Sequence, residues 1–341
     1  MKVVVTGGAG FIGSNFVHFL RKARADWKIT VVDLLTYAGN LKNIAALLDK
    51  GEVVFKKIDI ADQNAIDNLF QTEKFDLVFN FAAESHVDRS IHSAGAFVRT
   101  NVLGTQILVD AARANKVKRF IQISTDEVYG SLGPTGAFTE TTPLDPTSPY
   151  AASKASGDLM ALAAAKTHGM DLVVTRCTNN YGPYQFPEKL IPLFVTNALE
   201  NKPLPLYGDG MNVRSWLHVD DHSRGILAVA EKGRRGEVYN IGSGPDGELP
   251  NVEVTKAILR HLGKPETLVK RVEDRLAHDR RYAVDTTKIE RELGWRPEVP
   301  FAKGLAETID WYVGQQQWWQ EVKSGEYRKF YETNYGGRLG A

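Results

Sequence analysis

A short apolar run, Val3-Val4-Val5, passes through Thr6 straight into Gly7-Gly8-Ala9-Gly10-Phe11-Ile12-Gly13. No other stretch restricts the possible folds so strongly. The glycines satisfy G-x-x-G-x-x-G from Gly7 and G-x-G-x-x-G from Gly8. Glycine at such places permits a tight strand-to-helix turn and lets backbone N–H groups approach a pyrophosphate at the helix N-terminus. On its own the pattern fits a mere glycine-rich turn as well as a cofactor site. Here Asp33 ends the next apolar run, twenty residues after Gly13, where an acid would bind the diol of an adenosine ribose. An acid there repels a 2′-phosphate, so NAD is favoured over NADP. Asp59 and Ile60, after the third run, are expected beside the adenine.

Further runs, Ile29–Val32, Val53–Phe55, Leu77–Phe79, Phe120–Ile123 and Leu172–Val174, alternate with helix-like spacing over Phe11–Ala23, Asn64–Phe70, Val98–Ala114 and Tyr150–Thr167. Such alternation predicts an α/β chain with a Rossmann-type, doubly wound parallel sheet. From Asn179 onward, turn-rich sequence with Pro183, Pro187, Pro192, Pro203 and Pro205 marks a smaller, looser α+β substrate domain, mostly C-terminal. His218–Ala230 and Val238–Ile241 read as one more helix–strand unit rejoining the first sheet. The expected division is a cofactor domain over 1–178 plus about 215–244, and a substrate domain over 179–214 and 245–341. The tail from Ser324 to Ala341 is polar and glycine-rich, and order is not expected there.

Forty-two basic against forty-one acidic residues give a formal charge of +1, which argues against a nucleic-acid partner. The single cysteine, Cys177, excludes an internal disulfide and fits a reducing cytoplasm. No signal peptide is expected from the first residues, and no run approaches the roughly 20 apolar residues of a membrane span. His218-Val-Asp-Asp-His222 has metal-like spacing but sits at an expected helix start, so capping and packing are expected and a metal is not. Trp311, Trp318 and Trp319 read as packing for the last helix.

The chemistry-bearing segment is Ser124-Thr125-Asp126-Glu127-Val128-Tyr129-Gly130, which sets a hydroxyl and two adjacent carboxyls just past a buried strand. Unpaired carboxylates there cost several kcal/mol unless they are used. Tyr150 and Lys154 follow, one helical turn apart and on one helix face. A phenol is a poor base near pH 7, since its free pKa is about 10. Bringing it near 7 takes roughly 4 kcal/mol, which the Lys154 charge and an oxidised nicotinamide could supply together. Hydride transfer needs only that pair. The extra acids point to a proton taken from carbon and a leaving group protonated.

With these motifs the chain resembles the extended short-chain dehydrogenase/reductase family, which modifies nucleotide sugars. Asp33–Asn40, Ala82–Ser90, Thr125–Gly130, Asn179–Pro183, Pro187–Pro192 and His278–Ala283 resemble its branch of 4,6-dehydratases acting on dTDP-glucose. Related epimerases usually carry small residues at 126 and 127, and related decarboxylases keep only the acid at 127. The match extends from Lys2 to about Trp319. The resemblance implies that Tyr150 takes the C4 hydroxyl proton as hydride leaves for NAD, with Thr125 bonded to the C4 oxygen. Glu127 then removes the C5 proton, Asp126 protonates the departing C6 hydroxyl, and hydride returns to C6. It implies cofactor contacts at Gly7, Gly10, Phe11, Ile12, Gly13, Asp33, Leu34, Thr36, Asp59, Ile60, Phe81, Ala82, Ala83, Ser85, Thr100, Tyr150, Lys154 and Asn180. Nucleotide-sugar contacts are implied at Ser85, Thr125, Asp126, Glu127, Asn179, Lys189, Leu190, Pro205, Tyr207, Arg214, Asn251, Arg275 and His278. Arg214, Arg275 and Lys189 suit a diphosphate, and Tyr207 a pyrimidine. The chain reads Arg275-Leu276-Ala277-His278 where the family commonly reads Arg-Pro-Gly-His. A homodimer through a four-helix bundle is implied as well, since Val98–Ala114 and the Tyr150 helix carry apolar residues on more than one face. Rival functions are a UDP- or CDP-glucose dehydratase, a nucleotide-sugar 4-epimerase, and a non-catalytic NAD-binding regulator.

Overall fold

The computed structural model describes residues 1–274, 278–323 and 331. Twelve strands are described: β1 (Lys2–Thr6), β2 (Lys28–Asp33), β3 (Val53–Lys57), β4 (Leu77–Asn80), β5 (Arg119–Thr125), β6 (Leu172–Cys177), β7 (Asn179–Tyr181), β8 (Leu204–Tyr207), β9 (Val213–His218), β10 (Val238–Ile241), β11 (Glu248–Pro250) and β12 (Val269–Val272). Seven of them form a parallel sheet in the order β10-β6-β5-β4-β1-β2-β3. The unbroken valines of β1 follow from burial on both faces. Val3 and Val5 pack with Phe16, Val17 and Leu20 on one side, whereas Val4 packs with Ile66, Phe70 and Leu108 on the other. Strand order reverses between β1 and β4, which opens a crevice at the carboxyl ends of the strands. β10 joins beside β6, as the sequence predicts.

The sequence places the helices to within a few residues. The Gly-turn helix spans Phe11–Ala23, and the Tyr150 helix spans Pro149–His168. The latter has all its punctuation: Ser148 accepts from the Ala151 N–H, Pro149 occupies the first turn, and Gly169 is left-handed. The helix expected over Val98–Ala114 differs in kind. It starts at Gly95 and is wound as a π-helix over Val98–Gly104 before continuing to Ala114. Such widened turns concentrate at functional sites, and this one carries Thr100.

The turn-rich part is not loose. A three-stranded sheet, β11-β9-β7, and a parallel pair, β12-β8, share a third core with the helices Leu190–Leu199, Asn251–His261 and Phe301–Gly314. That core is aromatic: Tyr181, Phe194, Trp216, Tyr312 and Trp319 are buried in it. The prolines that look like breakers sit where their missing N–H costs nothing. Pro192 lies in the first turn of its helix, and Pro205 and Pro250 lie in edge strands. His218 caps the Val219–Lys232 helix by accepting from the Asp220 N–H, and burial pushes His222 down to about 3. Trp318 and Trp319 are buried as packing residues. Among the described residues no helix is long and apolar enough to cross a membrane.

Candidate active site

One continuous cavity of about 420 Å³ runs along the carboxyl ends of the parallel strands and into the second, aromatic-cored part. Every site residue expected from the sequence lines it, apart from Arg275, which lies outside the described residues.

At one end the glycine turn is built for close approach. Gly7 has φ +67, and a Cβ there would lie 2.6 Å from the Ala82 nitrogen. A Cβ on Gly13 would collide with the Gly7 carbonyl oxygen, so neither position accepts a side chain. Gly10 and Phe11 open the helix whose free N–H groups face the cavity. Asp33 closes the turn: Oδ2 accepts from the Ala9 N–H at 3.0 Å and Oδ1 from the Leu35 N–H at 2.8 Å. Leu34 and Thr36 continue this rim, with Ile12 beside the glycines. Asp59 accepts from Arg99 at 2.7 Å and stands with Ile60 and Thr100 at the same end. Phe81, Ala82, Ala83 and Ser85 form the floor after β4.

The reacting groups meet at the middle. Thr125 ends β5, and its Oγ1 accepts from the Glu127 N–H at 3.3 Å and donates to Asp126 Oδ1 at 3.2 Å. Asp126 is 2 % exposed, and its Oδ2 is buried with no hydrogen-bond partner. Burial, and then the Glu127 charge, pushes its pKa up to about 8, against the opposing pull of Arg214. A carboxyl in that state carries its proton at pH 7. Tyr150 is buried against Phe97, ring centroids 6.3 Å apart, and its backbone N–H donates to Ser90 Oγ at 3.1 Å. Lys154 Nζ donates to the Ile123 carbonyl at 2.7 Å. Burial pushes the Tyr150 phenol well above its ordinary range, and Glu127, Cys177 and Asp126 add to the rise while a Thr125 hydrogen bond opposes it.

The far end gathers residues from distant segments. Lys189 precedes the Leu190–Leu199 helix and donates to the Ser85 carbonyl at 3.1 Å. Pro205 and Tyr207 come from β8, with the Tyr207 hydroxyl 3.4 Å from Asp88 Oδ2 and its ring against His278. Arg214 is 5 % exposed, donates to the Asp279 carbonyl at 2.9 Å and stacks 4.5 Å over Tyr282. Asn179, Asn180, Leu190 and Asn251 complete the wall.

Sequence reasoning missed three participants. Tyr282 lines the cavity under Arg214 and donates to Asp279, whose carboxylate also accepts from Thr147. Glu188 also lines it; burial pushes its carboxyl up to about 7 while Lys189 and Arg89 hold it down. Both lie in quoted motifs, so the signal was present without an assigned role. Asn101 had no such signal. Its side chain bonds the Glu84 N–H and carbonyl and Ser153 Oγ, all within 2.8–2.9 Å, and so ties the π-helix to the β4 loop and the Tyr150 helix. Among the described residues no group of three or more His, Cys, Asp or Glu side chains could hold a metal ion.

The family model described as GDP-mannose 4,6 dehydratase matches residues 4–308. The chain is 52% identical over 328 residues to a dTDP-glucose 4,6-dehydratase of Streptomyces niveus, covering 95% of this chain and 96% of the relative. It is 50% identical to one of Neisseria meningitidis serogroup B, covering 96% and 97%. A crystal structure of a dTDP-glucose 4,6-dehydratase from Streptomyces venezuelae with NAD bound superimposes with a TM-score of 0.91 at 52% identity, covering 95% of this chain and all of that one. A UDP-glucose 4-epimerase from Thermotoga maritima with UDP-glucose is more distant in sequence, at 30% identity and a TM-score of 0.86, covering 93% of this chain and all of that one.

Proposed function

The chain belongs to the GDP-mannose 4,6-dehydratase family of extended short-chain dehydrogenases/reductases, and from that premise we propose that it converts dTDP-glucose to dTDP-4-keto-6-deoxyglucose with NAD as cofactor. One observation carries the reading to elimination rather than epimerisation. Two adjacent carboxyls, Asp126 and Glu127, share the cavity with Tyr150, and Asp126 is held protonated. Oxidation at C4 needs neither acid, whereas loss of water needs one to give a proton and one to take it.

The residues fit a dinucleotide. Gly7 and Gly13 leave the turn bare where a side chain would fill the cradle, the Phe11–Ala23 helix N-terminus suits the pyrophosphate, and Asp33 stands where a ribose diol would bond. When bound there, oxidised NAD supplies a positive charge beside the Tyr150 phenol and an acceptor for the hydride leaving C4, which it gives back at C6. Tyr150 takes the proton of the C4 hydroxyl, and Thr125 holds the C4 oxygen. Lys154, fixed by the Ile123 carbonyl, adds its charge to that of the oxidised nicotinamide to favour the Tyr150 phenolate. A ketone at C4 makes the C5 proton acidic, and Glu127 removes it. Asp126 gives its proton to the C6 oxygen, the C5–C6 double bond forms as water departs, and C5 takes up a proton again as hydride reaches C6. Arg214 and Lys189 bind the diphosphate, with Arg275 as a third partner, and Tyr207 and His278 flank the base.

The division into 1–178 with about 215–244, and 179–214 with 245–341, is part of this reading; β10 beside β6 supports it, while 215–218 pairs with β7 and β11. So is a homodimer through the π-wound helix and the Tyr150 helix. Val98, Leu103, Leu159 and Met160 on those helices are exposed apolar side chains, 39–56 % accessible, which a second copy would cover. A Leu159→Asp chain that sediments as the wild type does would remove that assembly. A cytoplasmic location agrees with the single buried thiol. Substrate deuterated at C4 tests the whole reaction: deuterium is expected at C6 of the product, and product without it would sink internal hydride return. Turnover compared across dTDP-, UDP- and CDP-glucose tests the base.

A further inference from the structure

Ala9 is the middle of the glycine turn, and both of its backbone polar groups are held. Its N–H donates to Asp33, and its carbonyl accepts from the Asn40 N–H at 3.0 Å and from Asn43 Nδ2 at 2.9 Å. Asn43 does not line the main cavity; it is 2 % exposed behind it. Its other amide atom, Oδ1, accepts from Trp318 Nε1 at 3.0 Å, across 275 residues of sequence. Trp318 lies in the helix Gln316–Val322, wedged 5.1 Å from the Trp311 ring and 6.0 Å from Tyr184. Lys42 and Glu321 pair beside it. A side-chain amide used at both ends transmits position, because moving either partner breaks a bond that Asn43, 2 % exposed, makes from a buried place.

We propose that Asn43 is a positioning residue of the dinucleotide site with Trp318 as its anchor, so that the C-terminal helix sets how tightly the turn Gly7–Gly13 retains NAD. The proposal rests on the NAD-dependent reading above. A cofactor reduced and reoxidised within each turnover gains from slow release, and retention is what this linkage would govern. It touches no reacting atom, so the chemical steps are left alone. The expected dependence is therefore on release rate and not on kcat.

The full-length holoenzyme tests this by the rate at which bound NAD leaves on dilution, read beside kcat at saturating NAD. Trp318→Phe removes the indole N–H and keeps a smaller aromatic ring in its place, and Asn43→Leu removes the amide at similar volume. Release is expected about threefold faster in the first and about tenfold faster in the second, the range a buried hydrogen bond spans. The double variant should be no faster than Asn43→Leu, and kcat at saturating NAD should stay within about twofold of wild type. Unchanged release in Trp318→Phe overturns the proposal, and so does a double variant whose effect is the product of the two singles. A fall in kcat with release unchanged overturns it as well. Trp318→Phe decides the matter alone if the leucine variant does not fold. Wild-type protein that binds no NAD would instead remove the reading on which the proposal rests.

Discussion

Asp33 and Asp126 stand at the carboxyl ends of β2 and β5 in the same sheet, and burial pushes both carboxyls up. At Asp33 the N–H groups of Leu35 and Ala9 oppose that push. At Asp126 the second largest influence is the Glu127 charge, which adds to it, and only then does Arg214 oppose. The first carboxyl is given the donors of a tight turn, and remains an acceptor suited to a ribose diol. The second is given a like charge and a dry wall, and keeps a proton to donate. Identical side chains at equivalent ends of one sheet thus take opposite roles through their neighbours alone.

The sharpest way to break that contrast is at the acids. Asp126→Asn should lower turnover by about 10²–10⁴-fold while C4 oxidation persists, seen as NADH absorbance on mixing with substrate. Glu127→Gln should lose a similar factor and stop solvent deuterium entering C5. An Asp126→Asn enzyme near wild-type turnover would end the assignment. Asp33→Asn should act differently: about tenfold weaker NAD binding, with kcat at saturating cofactor within about twofold of wild type.

The pH profile sharpens the same point. Asp126 donates only when protonated, so kcat should hold below about 8 and fall above it. Asp126→Asn should lack that limb. Stability carries the smallest effect. Because the folded pKa of Asp126 lies above its ordinary 3.8, the contribution is fully present below about pH 4 and is lost as pH rises towards 8. Asp126→Asn should therefore raise Tm by a few degrees at pH 8, whereas Asp33→Asn, which takes the acceptor from one of two N–H groups, should lower it. A scanning calorimetry trace with the opposite signs would undo the comparison.

The cofactor end was legible because its signals are local. Valines buried on both faces, glycines at fixed offsets and Asp33 twenty residues on are all set within one strand–turn–helix–strand unit. The aromatic-cored part was not. β7 and β11 are three residues each, too short for any periodicity, and they exist only by pairing with β9. The π-helical winding of Val98–Gly104 was equally invisible, since its residues read as ordinary helix. Asn101 looked like any polar helix residue until Glu84 and Ser153 came within reach. Spacing sets Lys154 on the face of Tyr150, but only packing turns its ammonium to the Ile123 carbonyl.

The sequence by itself determined the parallel sheet and the glycine turn, because each depends on short-range sterics and periodicity. Tertiary structure alone decided the burial that keeps the proton on Asp126, where Lys154 points, and that Asn43 meets Trp318. Those depend on desolvation and on partners brought together from distant parts of the chain, and neither quantity exists until the chain is packed.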